Sequence, residues 1–297
     1  MTSDLIDILF LGDIVGKPGR TIVNEYLQKV KKGEIHYGSE NFNNTIKSGE
    51  NSGFIVPDFV VANVENSSHG FGLTERTYNF LSEIGIDAFT AGNHIWDKKE
   101  IFNFIDKADK LVRPLNYPDG TPGEGFRFFS VNEVTICVIN MLGRVFMSPI
   151  ENPWSLLEQK IEMIKEKADI VLIDFHAEAT AEKVTYGYFA DELGVSAVFG
   201  THTHVQTADE RILKNGCGFI SDAGLCGAID GVIGMDYATS FKRLRTSLPE
   251  RFDVAPANEA ELNGVRILVN TKSGKTEKIE RIKYKSFISE VNDNMKG

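Results

Sequence analysis

Two histidines stand two residues apart in Gly200-Thr201-His202-Thr203-His204, and four other short stretches carry side chains able to bind a metal ion: Asp13, Glu65-Asn66, Asn93-His94 and His176. Each follows a run of apolar residues. Taken singly they have ordinary explanations: an aspartate after a strand is more often an Asx turn or a helix cap, and a lone strand-end histidine is more often a hydrogen-bonded structural residue. Two imidazoles at i and i+2 either line one face of a strand or straddle a tight turn, and favour a metal. Together, five strand ends that all carry His, Asp, Glu or Asn argue for a metal centre at one sheet edge. Four of the six histidines belong to the set, the others being His36 and His69. Imidazole, carboxylate and carboxamide donors without thiolate suit iron, manganese or zinc better than calcium or magnesium. Eight candidate ligands are too many for one tetrahedral ion, so two ions sharing a carboxylate is the natural solution, as in two-metal phosphoesterases.

The elements that must position these residues alternate strand and helix. Leu5 to Leu11, Phe59 to Val64, Ala88 to Ala91, Ile170 to Asp174 and Val195 to Phe199 read as buried strands. Between them, helices are expected near Val23 to Val30, Thr74 to Ile84, Lys98 to Lys107 and Trp154 to Lys167. Phe126 to Val131 and Val134 to Asn140 look like an antiparallel pair, and Gly218 to Ser221, Val265 to Asn270 and Lys278 to Tyr284 like later strands. This pattern predicts an α/β protein with a mixed sheet or two packed sheets, whose ligands gather where strands end. Residues 33–57, rich in Asn, Ser and Gly, read as a polar surface insertion.

The 297 residues carry 32 Lys plus Arg against 42 Asp plus Glu, a formal net charge of −10. That balance argues against a broad electrostatic grip on DNA or RNA. Cys137, Cys217 and Cys226 are too scattered for a disulfide framework or a metal finger. The N-terminal apolar run is interrupted by Asp7, unlike a signal peptide or membrane span. The expectation is a single cytoplasmic catalytic domain, enlarged by the insertion, that does not engage a membrane.

The motifs FLGDIVGKPGR, NVENSSHGFGLTE, TAGNHIWDKKEI, LVRPLNYPDGTPGEG, LIDFHAEATAEK, VFGTHTHVQTADERIL and GVIGMD, spread from about Leu9 to Leu248, resemble the YmdB family of calcineurin-like metallophosphodiesterases. The resemblance implies a metallophosphoesterase four-layer α-β-β-α sandwich with two mixed sheets. It also implies a dinuclear centre that hydrolyses phosphodiesters, notably 2′,3′-cyclic or 3′,5′-cyclic nucleotides, by a metal-bridging hydroxide. Carried over by motif, Asp13, Asn66 and His204 would hold one divalent or trivalent ion and Asn93, His176 and His202 the other. Glu65 would bridge them and His94 would act as general acid. Iron and manganese come ahead of zinc. Two departures stand out: Asp13 is followed by Ile14 and Val15 where metallophosphoesterases at large have Asp-x-His, and the 33–57 stretch is longer than the family pattern. The alternatives are a phosphomonoesterase or nucleotidase on the same centre, or a metal-bound regulatory protein that binds RNA or a partner with little turnover. A homo-oligomer fits either. The roles of His69, Glu178 and Cys226 stay unassigned.

Overall fold

The computed structural model describes residues 4–35 and 56–288, so most of the polar stretch at 33–57 lies outside the described residues. Strand β1 (Leu5–Leu11) sets the layering through its period of two. Ile6, Ile8 and Phe10 enter one apolar cluster, while Leu9 and Leu11 enter another with Ile22, Val23 and Leu27 of helix α1 (Gly16–Lys31). β1 belongs to an eight-stranded sheet with β2 (Asp13–Ile14), β3 (Phe59–Asn63), β4 (Ala88–Thr90), β5 (Leu111–Val112), β12 (Leu225–Ala228), β13 (Glu259–Asn270) and β14 (Thr276–Phe287). Its order is β2-β12-β13-β1-β3-β4-β5, with β14 also on β13.

A six-stranded sheet holds β6 (Phe126–Val131), β7 (Val134–Leu142), β8 (Ile170–His176), β9 (Ala197–Thr201), β10 (Arg211–Ile212) and β11 (Gly218–Ile220), in the order β10-β11-β9-β8-β7-β6. The cluster of Ile6, Ile8 and Phe10 also contains Val138, Leu172 and Phe199, and the Phe10 and Phe199 rings stack with centroids 4.4 Å apart. This is the core between the two sheets. Helix α2 (Glu75–Glu83) joins α1 on the outside of the first sheet through Tyr78 and Leu81. Helices α3 (Pro153–Lys165) and α4 (Thr180–Glu192) cover the second through Leu157, Ile161, Ile164, Tyr186 and Ala190. The result is the four-layer α-β-β-α sandwich of two mixed sheets.

Several sequence expectations need correction. The strand ends do not share the edge of one sheet: β1, β3 and β4 come from the first and β8 and β9 from the second. β8 and β9 extend further than expected, reaching His176 and Thr201. Residues 98–107 do not form an α-helix but two 3-10 turns, Lys99–Asn103 and Ile105–Lys107, interrupted at Phe104 (φ −133°). Burying Ile101, Phe104 and Ile105 in one cluster takes precedence there over a continuous helical face. Helix α5 (Tyr237–Thr246), capped by the Asp236 carboxylate accepting from the Thr239 amide, was not expected, because it buries only Ser240 and so leaves no apolar periodicity facing a core. Among the described residues no helix is long and apolar enough to cross a membrane.

Candidate metal centre

The carboxyl ends of β1, β3, β4, β8 and β9 converge across the two sheets. Asp13 is held in the two-residue strand β2, parallel to β12, and is fully buried. Gly12 before it lies so close to the Gly224 carbonyl that a Cβ would collide. Gly92 is equally constrained, since a Cβ there would overlap the Glu65 carboxylate and the His176 imidazole. That glycine lets Asn93 and His94 come alongside Glu65, whose Oε2 accepts from the His94 amide at 2.8 Å. β9 ends at Thr201, and both His202 (φ 97°) and His204 (φ 67°) adopt left-handed backbone conformations. Of the two arrangements open to the i, i+2 pair, the tight turn is the one formed. Residues rarely adopt this conformation unless the surroundings over-determine it. Here Asp222 does so, accepting from the Thr203 amide (3.1 Å) and hydroxyl (2.7 Å) while paired with buried Lys183 at 2.7 Å.

The imidazole of His176 is at the middle of the cluster. Its Nε2 is 3.0 Å from Glu65 Oε1, 3.2 Å from Asn93 Oδ1 and 3.0 Å from His202 Nδ1. Glu65, His176 and His202 together place three donor atoms within 4.8 Å of one another. On the other side of the ring, Nδ1 is 2.8 Å from Thr201 Oγ1, and that hydroxyl donates to Asp174 Oδ1 at 2.6 Å. Asp174 Oδ2 accepts from Thr90 Oγ1 (2.5 Å) and Asn63 Nδ2 (2.9 Å). With Thr201 committed to the carboxylate, its oxygen accepts the His176 Nδ1 proton, an assignment made from the network, so Nε2, which faces the centre, is the nitrogen that would give up its proton to a cation. His204 repeats the device, its Nδ1 donating to the Ile233 carbonyl at 2.9 Å while Nε2 lies 3.7 Å from Asp13 Oδ1. His202 is turned the other way, with Nε2 3.2 Å from Glu178 Oε2.

Two oxygens in this cluster lack what buried oxygens normally have. Asp13 Oδ1 and Asn66 Oδ1 are buried without a hydrogen-bond partner, although Asn66 Nδ2 donates to the Gly70 carbonyl at 2.9 Å. A buried acceptor without a donor is costly, and a cation is a partner that would satisfy both atoms. The donor set, of nitrogen and oxygen without sulfur, fits first-row transition ions.

Charge is strongly coupled here. Burial acts to raise the Glu65 carboxyl, but the neighbouring His176 outweighs it and holds the pKa at about 2. Burial works against charged His176, yet the carboxylates of Glu65 and Asp13 push it up to about 9. Burial, with His176 beside it, drives His202 down to about 3. The Asp13 carboxyl is raised, mainly by burial.

His94 is brought to the cluster but does not enter it. Its Nδ1 is 2.8 Å from Asp97 Oδ2, and its ring packs edge-on to Phe71 with centroids 4.9 Å apart. The residue faces a cavity of about 370 Å³ whose wall includes Glu65, Asn66, His202 and His204 on one side and Phe71, Ile233, Met235, Leu244 and Phe252 on the other. Sequence reasoning missed Asp174, Asn63, Thr90, Thr201 and the Lys183–Asp222 pair. The available signal was a charge or hydroxyl inside an otherwise apolar strand, as in Leu172-Ile173-Asp174-Phe175. Glu178 touches His202, whereas buried Cys226, its thiol pushed up by burial, donates to the Asn263 carbonyl.

A family model described as YmdB-like protein matches residues 53–282. A 2′,3′-cyclic-nucleotide 2′-phosphodiesterase of Bacillus subtilis (strain 168) is 46% identical over 275 residues, covering 93% of this chain and 96% of its own. The crystal structure of a protein from Thermus thermophilus is similar with a TM-score of 0.81 at 34% identity, covering 94% of this chain and 99% of that one. The crystal structure of a phosphatase from Mycoplasma pneumoniae gives a TM-score of 0.81 at 33% identity, covering 95% and 94%.

Proposed function

We propose that this chain, which belongs to the YmdB-like family, is a metal-dependent phosphodiesterase of small cyclic nucleotides, 2′,3′-cyclic or 3′,5′-cyclic, working as one catalytic domain. The observation that carries the metal dependence is the pair of orphaned buried oxygens, Asp13 Oδ1 and Asn66 Oδ1, beside imidazole nitrogens oriented from behind. Asp13, Asn66 and His204 would hold one ion and Asn93, His176 and His202 the other, with Glu65 between them. When bound, the ions, iron or manganese ahead of zinc, supply Lewis acidity that makes a nucleophile of water near neutral pH and offsets charge on the phosphate.

The chain's own residues do the rest. His94, outside the ligand cluster and oriented by Asp97, would deliver a proton from Nε2 to the ribose oxygen as the P–O bond breaks. A positioned acid of this kind contributes about 10² to 10⁴ in rate. Phe71, Ile233, Met235, Leu244 and Phe252 give the nucleoside an apolar wall facing the reacting phosphate. A substrate without a nucleoside would leave that wall unused, which favours cyclic nucleotides over simple monoesters. The test is parallel hydrolysis of 2′,3′- and 3′,5′-cyclic nucleotides, a generic aryl diester and an aryl monoester by metal-loaded protein. Turnover of the cyclic nucleotides above the monoester is expected; preference for the monoester would overturn the reading in favour of a phosphatase.

A further inference from the structure

A second cavity, of about 920 Å³, adjoins the one at the metal centre and shares Phe71 and Phe252 with it. Three chain segments converge there. A Cβ built on Gly16, at the start of α1, or on Gly70, in the loop after β3, would lie 2.9 Å from a Val254 methyl, and one on Gly72 would lie 2.7 Å from Lys98 Cγ. Lys17, Lys98 and Arg251 line this cavity, against the carboxylates Asp97 and Asp253. Asp97 is already hydrogen-bonded to His94. Among the described residues, neither Lys98 nor Arg251 makes an ion pair. α1 adds to the positive potential: it runs 16 residues, begins at this wall, and has no acidic residue in its first turn and no side-chain cap at Val15. Its Gly16 amide donates to the Asn66 carbonyl and Pro18 has none to offer, so the helix acts through its dipole, which favours an anion near its start.

We propose that this cavity is a subsite for a second phosphate of the substrate, the one on the 5′ oxygen of the nucleoside whose cyclic phosphate sits at the metal centre. The ribose and base then span the Phe71 and Phe252 pair, whose rings are 6.5 Å apart between centroids. The preferred substrates are 5′-phosphorylated nucleoside cyclic phosphates and short oligoribonucleotides ending in a 2′,3′-cyclic phosphate. The net charge of −10 does not oppose this, because a short ligand meets only the local field of the cavity. The proposal rests on the 2′,3′-cyclic arm of the reading above, because a 3′,5′-cyclic phosphate already occupies the 5′ oxygen.

The experiment compares kcat/KM of the metal-loaded enzyme for adenosine 2′,3′-cyclic phosphate and for the same compound carrying a 5′-phosphate. A charge-assisted contact to the second phosphate predicts a preference on the order of tenfold for the 5′-phosphorylated compound. That ratio should fall toward one in Lys98→Ala and Arg251→Ala, fall further in Arg251→Glu, and survive in Arg251→Lys. A ratio of one in the wild type, or a preference that persists in Lys98→Ala and Arg251→Ala, overturns the subsite. If neither compound is hydrolysed, the functional reading fails instead. The subsite is then still tested by equilibrium binding, in which wild-type protein should hold adenosine 5′-monophosphate more tightly than adenosine and Arg251→Ala should not. Equal binding of the two by the wild type also overturns it.

Discussion

Asp174→Asn isolates the part of the candidate metal centre that lies behind the proposed ligands. The substitution keeps size and shape, but the carboxylate it removes is fully buried and accepts from Thr201, Thr90 and Asn63. Thr90 and Asn63 both donate to Oδ2, so an asparagine is driven to place its oxygen there and its amide nitrogen toward Thr201. The Thr201 hydroxyl, 2.6 Å away, must then accept from that nitrogen and turn its own proton to His176 Nδ1. The imidazole responds by carrying its proton on Nε2, the atom that faces Glu65, Asn93 and His202. Loss of such an orienting partner costs roughly 10- to 100-fold in metal affinity, or about 1.4 to 2.7 kcal/mol. Competition titration against a chelator measures this directly, with a thermal melt of the metal-free protein to show that the fold is kept. Thr201→Val breaks the same relay and should lose a similar factor, whereas Thr201→Ser should not. Wild-type affinity in Asp174→Asn would refute the argument that the relay sets the His176 tautomer.

Three further outcomes follow from other contacts. His94→Ala should retain its metal content while turnover falls by about 10² to 10⁴; loss of metal in that variant would return His94 to the ligand set. Lys183→Met leaves the Asp222 carboxylate buried without its cation, and a melt should show destabilisation of about 3 to 5 kcal/mol. A change under about 1 kcal/mol would mean that the donors from Thr203 and Gly224 suffice for Asp222. Glu25 accepts from Lys29, Tyr284 and Ser286, which together outweigh burial and hold its pKa below the ordinary 4.5. A depressed folded value means that its stabilisation is complete above the unfolded pKa and is lost as pH falls through the folded one. Glu25→Gln should therefore flatten the acid side of the stability profile, and an unchanged acid limb would contradict the assignment.

Much of this architecture was legible in the sequence because apolar strands and polar tips are local signals. Leu5 to Leu11 and Phe59 to Asn63 announce themselves by apolar runs, and Asp13, Glu65, Asn93, His176 and His202 by standing at or just beyond the ends of such runs. What joined them was not local. That β8 and β9 lie in a different sheet from β1, β3 and β4 depends on inter-sheet contacts such as Phe10 on Phe199. Asp174 was hidden because it sits inside a strand that is buried throughout, where its role emerges only through Thr90 and Asn63 from the facing sheet. α5 was hidden for the opposite reason: its apolar residues Tyr237, Phe241 and Leu244 are exposed and mark no core-facing stripe.

The central claim, a two-ion centre built on Asp13, Glu65, Asn66, Asn93, His176, His202 and His204, is tested most directly by counting metal. Protein purified without chelator is analysed for transition-metal content per chain, wild type beside Asp13→Ala, while hydrolysis of a 2′,3′-cyclic nucleotide is followed on the same samples. The account predicts two ions per wild-type chain, one in the variant, and loss of hydrolysis with the missing ion. Full hydrolysis by metal-free wild-type protein, or two ions retained in Asp13→Ala, would contradict it.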